Sequence, residues 1–236
     1  MKIFHFKQFS IHLTDNVMPL TADAVLFGAW ASSSKGQRIL DIGCGSGILS
    51  LILAQRNPEA HITGIDISNK AVEISMKNVS GSPFSSRIDI RQQDLSNFQT
   101  QTLFDTIVVN PPFFSSGEHR KNLHIANSRH DRTFRKGKLL ERAFALTSDT
   151  GRLCLLSPIE DELYWIHLAG SAGWRLMRKT YMGKSHERVK RIAFEWNKFI
   201  SNSAESVTEY IILDPSCDRY NDYYDLVNDL YLRVKK

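Results

Sequence analysis

The chain has no apolar run that approaches the roughly 18 residues needed to cross a bilayer. Residues 1–7 contain no continuous apolar segment, so no secretory signal is predicted. Cysteine is scarce, and Cys44, Cys154 and Cys217 lie far apart without a Cys-x-x-Cys pair. That spacing argues against a disulfide framework and against a zinc site. These absences predict a cytoplasmic protein with neither a metal nor a membrane partner.

The composition is that of an ordinary globular protein, but the basic residues are unevenly distributed along the chain. Its 236 residues suit one large domain, with 42% hydrophobic and 23% charged residues and a net charge of +5. The basic residues cluster in two places. The first cluster comprises Arg120, Lys121, Arg129, Arg132, Arg135, Lys136 and Lys138, and the second comprises Arg178, Lys179, Lys184, Arg188, Lys190 and Arg191. Each cluster is either a solvated face or a surface that binds phosphates.

Strand and helix patterns alternate along most of the chain. Strands are predicted at residues 38–42, 61–67, 87–94, 107–109, 151–158, 174–182 and 188–196, with a short one at 206–213, and helices at 21–30, 48–55, 69–79, 139–146 and 160–172. Alternating elements with right-handed crossovers predict an α/β, doubly wound sheet. We predict a single domain over residues 1–236, with a short N-terminal segment (1–30) and a C-terminal tail helix (221–234).

A glycine-rich turn follows the strand at residues 38–42. Gly43, Gly45 and Gly47 allow the backbone to approach a ligand closely, because no Cβ stands in the way. Asp41 precedes the turn, where a carboxylate suits the amino group of a methionine moiety and repels the phosphate that a Gly-x-Gly-x-x-Gly turn binds. A nicotinamide-dependent dehydrogenase remains the alternative at this point.

Acidic residues also end the next two strands. Asp66, followed by Ile67, stands where an acid at a strand end binds a ribose diol in doubly wound folds. The alternating segment at residues 87–94 ends in Asp94. Asp94 is either a ligand-binding residue or an ordinary surface turn residue.

The most informative stretch is residues 104–114. Residues 107–109 form a β-branched run typical of a strand buried on both faces of a sheet. The run is followed by Asn110, Pro111, Pro112, Phe113 and Phe114. The prolines end the strand and leave the Asn110 amide and the Pro111 carbonyl at the carboxyl edge of the sheet, where open α/β folds bind ligands. These groups suit a flat molecule that carries an amino group, although a structural proline-rich turn would look the same.

These motifs resemble those of a known enzyme class. Asn-Pro-Pro-Phe at residues 110–113 resembles the Asn-Pro-Pro-aromatic signature of S-adenosylmethionine-dependent amino methyltransferases, and Asp-x-Gly-x-Gly-x-Gly at 41–47 resembles the first motif of Rossmann-like methyltransferases. With Phe-Lys-Gln-Phe at 6–9, the chain looks most like the bacterial tRNA (adenine-N(6)) methyltransferase family that modifies valine tRNA beside the anticodon.

The resemblance implies a Rossmann-like, mostly parallel seven-stranded sheet, the class I S-adenosylmethionine-dependent methyltransferase fold. It implies S-adenosylmethionine as cofactor, S-adenosylhomocysteine as product, and tRNA as substrate of a monomeric enzyme. The implied cofactor-binding residues are Asp23, Asp41, Gly43, Gly45, Gly47, Asp66, Ile67 and Asp94, with Asp94 near the adenine. The implied catalytic residues are Asn110, Pro111, Pro112 and Phe113. Asn110 Oδ1 and the Pro111 carbonyl would accept the two hydrogens of the amino group, while Phe113, supported by Phe114, would stack on the base.

The first basic cluster follows this turn directly. Residues 115–138 are predicted to form a long polar loop, with a helix beginning only at residue 139. Arg129, Arg132, Arg135 and Lys136 are predicted to contact tRNA phosphates.

Other functions share part of this pattern. A protein-glutamine methyltransferase shares Asn-Pro-Pro-aromatic, but release-factor enzymes of this kind usually carry Tyr at the fourth position and an N-terminal helical domain. An rRNA guanine-N(2) methyltransferase usually carries an extra domain. A non-catalytic RNA-binding module is disfavoured because Asp41, Asp66 and Asp94 are all present.

Overall fold

The computed structural model describes residues 2–14, 19–31, 38–111, 125–198, 205–217 and 220–232, and it gives only the helical backbone for residues 125–134 and 220–221. The helices are α1 (Ala22–Ala31), α2 (Ile48–Arg56), α3 (Asn69–Ser80), α4 (Ile125–Leu146), α5 (Glu162–Ser171) and α6 (Tyr220–Val227). The strands are β1 (Lys2–His5), β2 (Ser10–Leu13), β3 (Arg38–Ile42), β4 (His61–Asp66), β5 (Ile88–Gln92), β6 (Phe104–Val109), β7 (Thr147–Pro158), β8 (Arg175–Gly183), β9 (Val189–Asn197) and β10 (Val207–Ile212).

The central sheet has eight described strands in the order β10-β8-β9-β7-β6-β3-β4-β5. All neighbours are parallel except where β9 pairs with β7 and with β8, so β9 alone runs in the opposite direction. The predicted doubly wound, mostly parallel α/β fold is confirmed. The seven strands that the resemblance implies are one too few. The eighth is β10, at the position of the short strand predicted for residues 206–213, which adds to the outer edge of β8 and buries Ile211 and Ile212.

The strand order places a ligand crevice beside β3. On one side of β3 lie β4 and then β5, and on the other side lie β6 and then β7. The order therefore reverses between β3 and β6. In open α/β sheets ligands bind at such a switch point, outside the carboxyl ends of the strands.

Both faces of the sheet are covered by helices, as β6 shows. Val108 packs into the apolar cluster that includes residues of α1, α2 and α3, whereas Ile107 and Val109 pack into the cluster that includes residues of α4 and α5. None of the three side chains is more than 1% exposed. The predicted burial of this strand on both faces is therefore confirmed.

Helix α4 differs from its prediction. The loop predicted over residues 115–138 is wrong in its second half, because α4 begins at Ile125 and runs for 22 residues. Arginine and lysine are good helix formers and no proline interrupts residues 125–138, so a basic run can form a helix whose Leu140 and Ala143 are fully buried. Residues 112–124 lie outside the described residues.

The two ends of the described chain pack together. Strands β1 and β2 form an antiparallel hairpin, and Phe6 just beyond β1 stacks on Phe9 and on Tyr231 with ring centroids 4.7 and 5.6 Å apart. Lys7 Nζ donates a hydrogen bond to the carbonyl of Asn228 at 2.6 Å. Over the ranges given above, the structure contains no helix that is both long and apolar enough to cross a membrane.

Candidate functional site at the carboxyl edge of the sheet

A cavity of about 770 Å³ opens at the switch point between β3 and β6. That volume is typical of a small-molecule site. The residues lining it include Ile42, Gly43, Cys44, Gly45 and Ser46 at the end of β3, Asp66, Ile67 and Ser68 at the end of β4, Gln93, Asp94, Leu95 and Ser96 after β5, and Asn110 after β6. Helix α1 contributes Ala24, and α4 contributes Arg135, Lys138, Leu139, Glu141 and Arg142. Ile48 and Leu49 of α2 and Ala71 of α3 also line it, so four strand ends and four helices form one pocket.

The glycine turn has the backbone conformation that only glycine adopts readily. Gly43, Gly45 and Gly47 have φ angles of 72°, 57° and 79°. A Cβ on Gly47 would stand 2.6 Å from Ser75 Oγ, and that glycine also caps the N-terminus of α2. The three glycines are required for the path of the chain, which brings bare backbone to the cavity wall.

Asp66 is held by the turn itself. Its Oδ2 accepts a hydrogen bond from the Gly45 N–H at 3.0 Å, and its Oδ1 accepts one from the Ser68 N–H at 2.9 Å. A carboxylate has about four lone-pair positions, so each oxygen can still accept a hydroxyl proton from the cavity side. The next residue, Ile67, lines the cavity with a side chain that is 69% exposed. A carboxylate beside an uncovered apolar group matches a ribose and the flat base attached to it.

Asp94 lies at the end of the adjacent strand. Its Oδ1 accepts hydrogen bonds from the backbone N–H and the hydroxyl of Ser96, at 2.8 and 2.9 Å. The backbone hydrogen bond is the main reason that the pKa of Asp94 lies below its ordinary value, so the group is ionised at neutral pH. The exposed Asp94 lines the cavity beside Gln93 and Leu95.

Asp41 does not line the cavity as the sequence prediction implied. The side chain is 0% exposed beneath the turn, where its Oδ2 accepts a hydrogen bond from the Ser50 hydroxyl at 2.7 Å. Its Oδ1 is buried without a hydrogen-bond partner among the described residues. Burial raises the pKa of Asp41 from 3.8 to about 7, although the Ser50 hydrogen bond opposes that rise. Sequence inspection missed Ser50, because only the fold brings α2 against the end of β3.

Asp23 is also predicted to bind the cofactor, but its side chain pairs with Arg191 instead of facing the cavity. Its Oδ2 accepts a hydrogen bond from Arg191 Nε at 2.9 Å, and Asp23 is not among the residues that line the cavity. Its neighbour Ala24 does line it. Thr21 caps α1, because its hydroxyl accepts a hydrogen bond from the Ala24 N–H at 3.1 Å.

Asn110 lies where β6 meets the cavity. Its partly buried side chain lines the wall, and its Oδ1 is shielded from water without a hydrogen-bond partner in the part of the chain described. An amide oxygen left in this way costs about 1–3 kcal/mol, so it is poised to accept a hydrogen bond from a ligand. Pro111 is the last described residue of this motif, while Pro112, Phe113 and Phe114 lie outside the described residues.

The basic residues of α4 divide into those at the cavity and those elsewhere. Arg135 and Lys138 line the cavity, whereas Lys136 forms an ion pair with Asp161 at 2.6 Å and lies 4.7 Å from the ring centre of Trp165. Arg129 and Arg132 lie on the described backbone of α4, but their side chains are outside the description. The prediction for Lys136 therefore needs revision, because a carboxylate already neutralises it.

Sequence reasoning also missed a link between α4 and the loop after β5. Arg142 Nη2 donates a hydrogen bond to the Phe98 carbonyl at 2.6 Å, and Arg142 itself lines the cavity. No local signal marks this residue, since the contact joins positions 44 residues apart. In the described ranges, no group of His, Cys, Asp and Glu is arranged to hold a metal ion.

Comparison with known proteins is consistent with this geometry. The methyltransferase small domain family matches residues 22–138. A tRNA1(Val) (adenine(37)-N6)-methyltransferase from Vibrio campbellii is 35% identical, covering 99% of this chain and 97% of that protein. One of the same name from Porphyromonas gingivalis is 38% identical, covering 94% and 91%.

Solved structures share the fold at lower sequence identity. A predicted O-methyltransferase from Agrobacterium tumefaciens superposes with a TM-score of 0.65 at 19% identity, covering 91% of this chain and 99% of that one. A methyltransferase from Pyrococcus furiosus gives 0.62 at 17% identity, covering 81% and 90%. The predicted class I S-adenosylmethionine-dependent methyltransferase fold is therefore confirmed, with the eighth strand as its one difference.

Proposed function

The chain belongs to the family of the tRNA1(Val) (adenine(37)-N6)-methyltransferases, and we propose that it transfers a methyl group from S-adenosylmethionine to the exocyclic N6 of adenine in tRNA. The relatives' names give the position as adenine 37 of valine tRNA, which lies beside the anticodon. We further propose that residues 1–236 act as one monomeric domain in the cytoplasm.

The cavity fits S-adenosylmethionine. We propose that the bare backbone from Gly43 to Gly47 accommodates the methionine part, that Asp66 binds the ribose diol, and that Ile67 and Asp94 contact the adenine; their positions in the cavity lining support this assignment. When bound, this cofactor supplies an electrophilic methyl group on a positively charged sulfur and leaves as S-adenosylhomocysteine. Asp41 is not proposed as a direct ligand, since it lies buried against Ser50 and supports the turn from below.

The single observation that carries the proposal is that Asn110 lines the cavity wall and that its Oδ1 has no hydrogen-bond partner among the described residues. The exocyclic amine of adenine is a poor nucleophile, because its lone pair is delocalised into the ring. Asn110 Oδ1 and the Pro111 carbonyl can accept its two hydrogens, which turns the lone pair out of the ring plane. This contribution is orientation together with electrostatic stabilisation of the charge that develops on nitrogen. It requires no side-chain base, because the positively charged methylated nitrogen is acidic and releases its extra proton to water.

The adenine must leave its stack to reach this position. We propose that Phe113, supported by Phe114, stacks on the extruded base, and that Pro112 holds the turn rigid. We propose that Arg129, Arg132 and Arg135 on α4 contact the neighbouring phosphates. Arg135 lines the cavity, which supports this placement. Lys136 is omitted because of its ion pair with Asp161.

The proposed function is tested by methylating an unmodified valine tRNA transcript with S-adenosylmethionine that carries a labelled methyl group. After digestion to nucleosides, the label is expected in N6-methyladenosine. A matched transcript with guanine at position 37 is expected to accept none. Label in N2-methylguanosine, label in protein glutamine, or no transfer to the adenine transcript would overturn the proposal.

A further inference from the structure

The turn between β8 and β9 lies at the same edge of the sheet as the cavity. Strand β8 runs in the same direction as β6, so its end at Gly183 faces the same side as Asn110. One level of the sheet contains Val109, Leu155, Phe194 and Lys179. From β6 to β8 the sheet is crossed in three strand-to-strand steps, through β7 and β9. Along β8, the turn begins about four residues beyond Lys179. At ~4.8 Å per strand and ~3.3 Å per residue, it lies roughly 20 Å from Asn110.

Half of the second basic cluster is used inside the protein. The pairs are Arg178 with Glu195, Lys179 with Glu162 and Arg191 with Asp23, at 2.7, 2.9 and 2.9 Å between nitrogen and oxygen. Lys184, Arg188 and Lys190 are exposed at the turn, and they form no ion pair within the residues that the structure covers. These three cations face solvent, where an external partner can reach them, although Lys184 interacts electrostatically with Asp214 and the exposed Glu187 lies in the same turn.

A row of aromatic rings supports the same turn. The His186 ring lies 4.9 Å from Tyr210, and Tyr210 stacks on Tyr181 at 5.0 Å between centroids. The Tyr181 hydroxyl is fixed by a hydrogen bond to Glu162 Oε1 at 2.8 Å. The row ends in His186, which is exposed. A flat exposed ring beside exposed cations is the arrangement with which proteins bind single-stranded nucleic acid.

The turn is connected to the rim of the cavity. Arg191, near the start of β9, forms an ion pair with Asp23 of α1. Ala24, which follows Asp23 in the chain, lines the cavity. Lys190 precedes Arg191 and is exposed. A stacked strand advances about 3.4 Å per nucleotide, so roughly six nucleotides bridge the 20 Å from Asn110 to the turn. One stem-loop can therefore contact both places.

We propose that the β8–β9 turn binds the substrate RNA away from the methylated nucleotide. Lys184, Arg188 and Lys190 contact backbone phosphates, and the exposed ring of His186 stacks on an unpaired base. This inference rests on the proposed function, because an RNA substrate must reach the carboxyl edge of the sheet.

The test compares two double variants that each lose two exposed cations. Lys184→Ala/Arg188→Ala changes the turn, whereas Arg38→Ala/Arg175→Ala changes the first residues of β3 and β8, at the opposite edge of the sheet. Binding of unmodified valine tRNA is measured between 50 and 200 mM KCl. The turn variant is expected to lose about 1.4–1.8 from the log–log salt slope, because each phosphate contact contributes ~0.7–0.9. The control variant is expected to keep the wild-type slope.

A second pair of variants tests the ring. His186→Ala is expected to weaken tRNA binding about fivefold or more, while His186→Phe keeps the stacking face and stays close to wild type. S-adenosylmethionine binding, measured by calorimetry, confirms that every variant is folded.

The outcomes separate this inference from the proposed function. A wild-type protein that methylates no adenine in tRNA would show that the proposed function is wrong. A wild-type protein that does so, together with a turn variant whose salt slope equals that of the control variant, would overturn the assignment of this surface to RNA and leave the function in place.

Discussion

Asp41 gives the sharpest prediction about stability, because it is a fully buried carboxyl group with one unpaired oxygen among the described residues. Burial raises its pKa from 3.8 to about 7 in the folded protein. Between these values the folded state binds more protons than the unfolded state, so the free energy of unfolding falls as the pH rises. The variant Asp41→Asn keeps the shape of the side chain and its contact with Ser50 but removes the titration.

The size of the effect follows from the two pKa values. One pKa unit corresponds to about 1.36 kcal/mol. Ionisation of Asp41 lowers the stability by about 2 kcal/mol at pH 5 and by about 4 kcal/mol at pH 8. Wild type is therefore expected to lose about 2–3 kcal/mol relative to Asp41→Asn between pH 5 and pH 8.

Urea unfolding of both proteins at pH 5, 6, 7 and 8 without cofactor measures this difference. Comparison with the variant cancels the titration of the histidines, which both chains share. Ser50→Ala provides a second check, because loss of its hydrogen bond raises the pKa of Asp41 further and extends the slope to higher pH. Parallel pH profiles for wild type and Asp41→Asn would refute the reasoning.

Three further changes test the rest of the site. Asp66→Ala is expected to weaken S-adenosylmethionine binding by ~1–3 kcal/mol through lost hydrogen bonds, and unchanged calorimetric affinity would contradict this. Gly47→Ala is expected to lower both stability and cofactor affinity, because its φ is 79° and its Cβ would meet a side chain of α3, whereas Gly170→Ala in open space on α5 should be neutral or stabilising in the same thermal unfolding assay. Arg135→Ala is expected to reduce the salt dependence of tRNA binding while Lys136→Ala leaves it unchanged, and equal effects would contradict their different placement.

Much of the site can be predicted from the sequence because its residues follow strand ends. Asp66, Asp94 and Asn110 are predicted at the carboxyl edge, and all three line the same cavity. A short apolar run followed by a polar residue and a turn marks such a position without knowledge of the strand order.

The failures concern contacts between distant parts of the chain. Asp41 directly precedes the last residue of a strand that is buried on both faces, and the sequence does not tell whether such a side chain points to the cavity or beneath it. Asp23 pairs with Arg191, and Lys136 pairs with Asp161, across separations that no local pattern encodes. The predicted start of α4 is wrong because a basic run is compatible with a loop and with the exposed side of a helix.

The most direct test of the account is the single-turnover rate of Asn110→Ala with saturating tRNA and S-adenosylmethionine. The variant removes the Asn110 amide oxygen, which has no hydrogen-bond partner among the described residues, and leaves the sequence of β6 and of both prolines unchanged. Cofactor and tRNA binding are expected to change little, while the methyl-transfer rate falls by about 10²–10³, or ~2.7–4 kcal/mol in activation free energy. A variant that methylates adenine at the wild-type rate would show that Asn110 only ends a strand, and the proposed mechanism would then be wrong.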